Sequence, residues 1–291
     1  MYKSISRNKR NTVLIMAVFF AIIGGLGWLA GYIYQSPQIT IMVVSIAAFY
    51  ALIQFFTAGR VAMAVNGGRE ISKRDFPELY NIVENLAITA GLPTPRVFVI
   101  DDPAPNAFAT GRNPKNSLVG VTTGLLEIMN KRELQAVLAH EMSHIQNYDI
   151  LVSMIVFGLV SAIGMLCDLF IRMTFFSKND RESNNSPMMI VGLIAAVISP
   201  FIAFVVQMAV NRQREYLADA SGTLLDRDPD AMISALEKLK GAERPMKKQN
   251  SSTAHMFFAN PLKAGFLTKL FSTHPPLDDR IKRIKDNAAK M

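Results

Sequence analysis

Four long stretches of the chain carry almost no polar side chains. Val13–Tyr34 is a 22-residue run without a charge, and Gln38–Ala58 follows it after the break Gln35-Ser36-Pro37. Leu151–Phe176 is apolar apart from Asp168 and Arg172, and Met188–Val210 is again uncharged. A helix needs about 20 apolar residues to cross the hydrocarbon core of a bilayer, so each stretch is long enough to span. The first has a basic start, but its apolar run exceeds the roughly 7–15 residues of a signal-peptide core and a second span follows at once, so it reads as an uncleaved anchor. Asp168 and Arg172 lie one helical turn apart and are expected to pair or to reach the interface.

The segments between read differently. Asp75–Ala90 places Leu79, Ile82, Val83 and Leu86 at helical spacing, and Gly91-Leu92-Pro93 stops it. Val97–Ile100 and Leu118–Thr122 read as short strands, with Asn106–Gly111 between them. Asn130 followed by Glu133 has the spacing of a reciprocal cap and predicts a helix start. After the fourth stretch, Asn211–Leu225 and Asp230–Lys240 are expected helices, 241–265 a loop, and a short helix begins near Pro275. The expected organisation is a membrane anchor with two spans (1–58), a first segment outside the membrane (59–150), a second hairpin (151–210) and a second segment outside it (211–291).

Charge sets the orientation. The formal net charge is +8, with 31 Lys and Arg. Residues 1–12, 59–150 and 211–291 hold 28 of those 31 and fall on one side of a four-span chain. Lysine and arginine mark the cytoplasmic side, so both termini and both segments outside the membrane are expected there. The positive charge then serves orientation and attraction to an anionic bilayer rather than nucleic acid, for which no partner role is expected. Cys167, the sole cysteine, lies inside the third stretch, so no internal disulfide or cysteine metal cluster can form.

Any metal site must therefore use histidine and carboxylates. His140-Glu141-Met142-Ser143-His144 has the pattern H-E-x-x-H. On a helix, i and i+4 stack on one face, so both imidazoles can reach one tetrahedral zinc ion. Glu141 lies beside that ion without having to bind it, free to take a proton from the attacking water and return it to a leaving amine. With four histidines and ten glutamates in the chain, the pattern arises by chance about once in 500 sequences. The competing reading is two surface histidines on a polar face, and the apolar neighbours Leu134, Val137, Leu138 and Ala139 oppose it.

A catalytic zinc usually has three protein ligands and an open position. No histidine follows at a spacing that would supply the third. Glu215 is the candidate: the two apolar stretches after the motif form a hairpin that returns the chain to the same membrane face. Asp219, at i+4 from Glu215, is the candidate acceptor for the remaining N–H of a ligand histidine. Against both stands a solvated helix face paired with Arg212 and Arg214. His274, in Ser272-Thr-His-Pro-Pro276, fits either an oxyanion-stabilising role or a packing turn, and His255 has no assigned role.

Taken together, the basic start with two spans, HEMSH, a second apolar pair, REYLAD and STHPP resemble the HtpX family of bacterial inner-membrane zinc proteases, related to the CaaX prenyl endopeptidases. The resemblance covers nearly the whole chain. It implies an α-helical membrane protein with four transmembrane helices and an α+β, zincin-like catalytic domain. It implies one zinc ion per chain on His140, His144 and Glu215, with Glu141 as base and Asp219 and Arg280 supporting. It also implies that Asn106, Ala107, Phe108, Ala109 and Thr110 form an edge strand to which an extended substrate can add, and that His274 acts on the transition state. Misfolded membrane proteins or unfolded polypeptides would be the substrates, in stress-related quality control alongside other membrane proteases, with self-cleavage. Two other classes remain open from the residues alone: a membrane amidase that uses the same metal, and a non-enzymatic scaffold or transporter, against which the retained Glu141 and the ligands outside the spans both weigh.

Overall fold

The computed structural model of the chain describes residues 2–33, 35–161, 212–242, 244–248, 253–259 and 275–288. Two long helices, α1 (Tyr2–Ile33) and α2 (Pro37–Val65), form a hairpin. Gly27 lies against Val43, the side chain of Thr40 donates to the Gly27 carbonyl at 2.9 Å, and Gly31 follows one turn on. Small residues four apart let two helix backbones approach closely, as apolar helices in lipid require. Helix α1 begins at Tyr2, so the basic stretch before Val13 is itself helical.

Four strands follow: β1 (Gly68–Glu70), β2 (Arg96–Ile100), β3 (Ala107–Gly111) and β4 (Ser117–Thr122). Their order in the sheet is β1-β2-β4-β3; β2 and β4 are parallel and the other two pairs antiparallel. Helix α3 (Pro77–Ala90) joins β1 to β2. Helix α4 (Thr123–Ile128) leads from β4 to α5 (Lys131–Gln146), the helix that carries HEMSH. Helix α6 is described over Asp149–Ser161. Beyond the undescribed part lie α7 (Arg212–Asp226), α8 (Pro229–Gly241) and α9 (Leu277–Ala288). The fourth apolar stretch, the remainder of the third, Cys167, Asp168 and Arg172 lie outside the described residues.

Outside the apolar stretches, the expected strands and helices appear within a residue or two of their predicted ends, whereas α1 starts at Tyr2 rather than Val13 and α2 runs on to Val65 rather than Ala58. Strand β1 and helix α4 are additions, and both are short. Gly68-Arg69-Glu70 has no apolar alternation to reveal it, and it is held by the Arg96–Glu70 ion pair across to β2. The six residues of α4 depend on a local cap, the Thr122 hydroxyl accepting from Leu125 N–H at 3.2 Å. The predicted reciprocal cap of α5 is present: Glu133 N–H donates to Asn130 Oδ1 at 3.0 Å, and Asn130 N–H to Glu133 Oε2 at 2.8 Å.

Side chains alternate across a pleated sheet, and here both faces are covered. Val97, Val99, Ala107, Ala109, Val119 and Val121 pack under α3, α5, α8 and α9. Phe98, Ile100, Phe108 and Leu118 pack against α1, α2 and α6. The sheet is thus a shared wall between the core under α3, α5, α8 and α9 and the bundle of α1, α2 and α6. Outside that bundle α2 turns a row of large apolar side chains outward, among them Ile41, Ile46, Phe49, Leu52 and Phe56.

Helix α7 crosses α5 at unusually short range. A methyl group added to Gly222 would lie 2.8 Å from both the Cα and the backbone nitrogen of His140. Ser143, one turn along, donates to the Ala218 carbonyl at 3.2 Å. Real atoms do not approach that closely, so Gly222→Ala is expected to push α7 off α5, destabilising the fold by about 1–3 kcal/mol. Thermal unfolding of the variant checks this: a melting temperature equal to the unaltered protein's would show that the helices have room to spare.

Candidate metal centre

The α5–α7 crossing brings three donor groups together. His140 and His144 stack on one face of α5 with their Nε2 atoms 3.1 Å apart. Glu215, in the first turn of α7, lies with Oε2 3.7 Å from His140 Nε2 and Oε1 3.7 Å from His144 Nε2. All three ligand atoms fall within 4.8 Å of one another. Donors at about 2.0–2.1 Å from a tetrahedral zinc lie roughly 3.3 Å apart, so the observed spacings bracket what such an ion needs. The side chain of His140 is sealed, while those of His144 and Glu215 keep 15% and 13% exposure, so the open face of the cup looks into the cleft.

The outer ring nitrogens are both committed. His140 Nδ1 lies 2.9 Å from Asp219 Oδ1, and His144 Nδ1 lies 3.0 Å from Asp149 Oδ2. In the neutral form of each ring, Nδ1 donates to its carboxylate and Nε2 is left as a lone pair. Two lone pairs and a carboxylate facing one another repel unless a cation sits between them. This donor set therefore fits zinc.

Asp219 is in turn fixed by Arg280, which reaches in from α9 and donates through Nε at 2.9 Å and Nη2 at 2.7 Å. Arg280 is fully buried beneath the Phe258 ring, 4.4 Å from its centroid. Burial alone would raise the Asp219 pKa, but Arg280 and His140 outweigh it and hold it at about 2. His144 moves the other way. Burial lowers its pKa, yet Asp149, Glu215 and Glu141 together push it up to about 9. Glu141 is nearly sealed, and burial raises its pKa despite the nearby histidines and an N–H bond from Ala109.

That bond ties the site to β3, whose free edge borders the cleft, with Ala109 in its wall. The edge is only partly open. Phe258 N–H donates to the Ala107 carbonyl at 2.8 Å, Phe257 bridges Phe108, and Asn106 exchanges hydrogen bonds of 2.8 and 3.0 Å with Ala259. Of the expected substrate strand, Asn106, Ala107 and Phe108 are thus covered by the chain's own residues 257–259, leaving Thr110 and Ala109, whose N–H donates to Glu141. Phe258 also stacks edge-on against His140, with centroids 4.8 Å apart.

Of the residues singled out in the sequence, His140, Glu141, His144, Glu215, Asp219 and Arg280 converge here. His274 lies outside the described residues. Asp219 faces inward to Arg280 and His140 rather than pairing on a solvated face with Arg212 and Arg214. Three contributors were missed: Asp149, Phe258 and His255, which lines the cleft. Asp149 left a signal, an acidic residue five after His144 just as the apolar stretch begins. Phe258 and His255 left none, lying in a loop without periodicity.

Residues 73–288 match peptidase family M48. A Tropheryma whipplei protein described as a protease HtpX homolog is 51% identical over 286 residues, 98% of each chain. One from Streptococcus gordonii with the same description is 40% identical over 294 residues, 98% of this chain and 99% of its own. Among solved structures, Ste24p of S. mikatae aligns with 98% of this chain and 67% of its own, at a TM-score of 0.53 and 20% identity, a likeness of fold.

Two outcomes follow. A ligand histidine must be unprotonated at the metal, so zinc uptake near pH 7.5 should release about one proton from His144, measurable with a pH indicator in weak buffer. In the metal-free protein the same group stabilises the fold fully below its ordinary pKa of 6.5, and this stabilisation is lost as pH rises through about 9. Separately, Arg280→Ala strands Asp219 as a buried, unpaired charge and should cost about 3–5 kcal/mol. A thermal melt unchanged by that substitution would remove Arg280 from the account.

Proposed function

The chain belongs to peptidase family M48, and on that premise we propose that it cleaves misfolded or damaged membrane proteins with one zinc ion held by His140, His144 and Glu215. It is a metalloendopeptidase, a hydrolase. The observation that carries the proposal is the convergence of three lone-pair donors, each histidine backed by its own carboxylate, beside a buried Glu141.

When bound, zinc supplies a Lewis acid that polarises the scissile carbonyl and acidifies water. The residues of the chain do the rest. Glu141 takes a proton from the attacking water and later delivers it to the leaving amine. Its burial suits it to that exchange, since a carboxylate with a raised pKa returns and accepts protons more readily near neutral pH. Asp219 and Asp149 hold the imidazoles in the tautomer that presents Nε2. The substrate lies extended along β3 at Ala109 and Thr110, pairing through the backbone beyond the segment 257–259. His274 enters as a transition-state group on the Ser-Thr-His-Pro-Pro match alone.

The relatives and the fold neighbour are consistent with a membrane protein. Within the described residues α2 is long and apolar enough to span over Thr40–Val65, with a mean hydropathy of 2.0. We place the protein in the bacterial inner membrane with four spans, both termini and the site cytoplasmic, acting with other quality-control proteases and able to cut itself. Asp149 and Tyr148 bring the site close to the start of α6, so substrates are met near the bilayer surface.

Glu141→Gln should keep zinc and lose about 10²- to 10⁴-fold in cleavage of an unfolded protein, followed by gel beside the unaltered enzyme with and without metal. Equal cleavage by both proteins would assign the activity elsewhere. Zinc bound at one per chain without any cleavage by the unaltered protein would sink the peptidase reading of this site.

A further inference from the structure

Helix α1 does more than anchor. Its basic first turns, ahead of the apolar stretch, lie on the three residues that follow the HEMSH helix. Asn8 donates through Nδ2 to the Asn147 carbonyl at 2.9 Å and to Asp149 Oδ1 at 2.7 Å. Lys9 sits over the ring of Tyr148, 4.7 Å from its centroid. Asn147 is the C-cap of α5 and Tyr148 has a positive φ of 60°, so the chain turns sharply here to aim Asp149 back at His144. Asn8 is buried, with 1% exposure, although it is polar and lies 139 residues from Asn147 along the chain.

The two oxygens of Asp149 have separate tasks. Oδ2 takes the His144 Nδ1 proton at 3.0 Å. Oδ1 is held by Asn8, with Arg214 Nη1 farther away at 3.7 Å. Without Asn8 the carboxylate can rotate toward Arg214 and release the imidazole. A ligand histidine whose ring is no longer oriented binds metal less well, and loss of such outer partners costs about 10–100-fold in affinity.

We propose that Asn8 is a positioning residue for the metal centre: it fixes Asp149, and through it His144, so that the N-terminal helix is a working part of the zinc site. The inference rests on the reading of His140, His144 and Glu215 as zinc ligands. It implies that a catalytic segment freed of its first helix loses zinc more easily even when it folds.

The test is a double-mutant cycle on the full-length chain in detergent, with Asn8→Ala, Asp149→Ala and the pair. Zinc affinity is measured by chelator competition, and the visible spectrum of the cobalt-substituted proteins reports ligand geometry. Asn8→Ala should weaken zinc binding about 10-fold and shift the cobalt bands. Asp149→Ala should weaken it more, and adding Asn8→Ala to it should change nothing further, because the pathway is already cut. Asn8→Asp sets a second carboxylate against Asp149 and should weaken zinc at least as much as Asn8→Ala, while thermal melts of the metal-free proteins report folding. Zinc affinity in Asn8→Ala equal to that of the unaltered protein would overturn the inference. So would fully additive losses, which would make Asn8 a general stabiliser. An unaltered protein that binds no zinc would instead remove the ligand assignment beneath it.

Discussion

The buried carboxylate of Asp219 is the group on which the described architecture turns. Isolated in an apolar interior it would be untenable, because removing an anion from water costs several kcal/mol. It is retained because Arg280 of α9 meets it through two nitrogens and His140 of α5 meets it through a third. One side chain of α7 thereby fastens α5 and α9, and Phe258 packs against both Arg280 and His140. Remove Asp219 or Arg280 and the other is left charged and dry. The same interaction orients His140, so the stability of the helix packing and the geometry of the metal cup draw on one set of atoms.

Much of this was legible in the sequence because it obeys short-range rules. H-E-x-x-H declares two candidate ligands through helical periodicity alone, and Asn130 with Glu133 announces where that helix starts. Glu215 was reachable by a topological step, since a hairpin must bring the chain back to where it left. Arg280 came only through resemblance, as a supporting residue, and its pairing with Asp219 was not foreseen, because no spacing rule links residues 61 apart. Gly222 passed unnoticed for a related reason. A glycine inside a helix reads as a weakness, and only the crossing with α5 reveals that a side chain would collide with the His140 backbone. Asn8 reads as one polar residue in a basic leader until the fold brings it to Asp149.

The sheet carries a second lesson about placement. Both of its faces are buried, one against α3, α5, α8 and α9 and one against the bundle of α1, α2 and α6. A strand so enclosed can offer only its edge, and β3 is the edge beside the cleft. Residues 257–259 then take the first half of that edge. What is left, at Ala109 and Thr110, lies next to Glu141, whose carboxylate accepts from Ala109 N–H. On the proposed function, an incoming backbone would be registered by the same strand that touches Glu141, coupling alignment of a substrate to the position of the proposed base.

The order of the parts along the chain has its own consequence for biogenesis. A ribosome makes HEMSH early, with its helix, its cap and Glu141 complete. Glu215 arrives 71 residues after His144, and Arg280, which locks Asp219 against His140, later still. While translation is under way the proposed cup lacks its third donor and its clamp. On the function proposed above, a growing chain would pass its neighbours without the means to cut them, and competence would wait for α9 to dock.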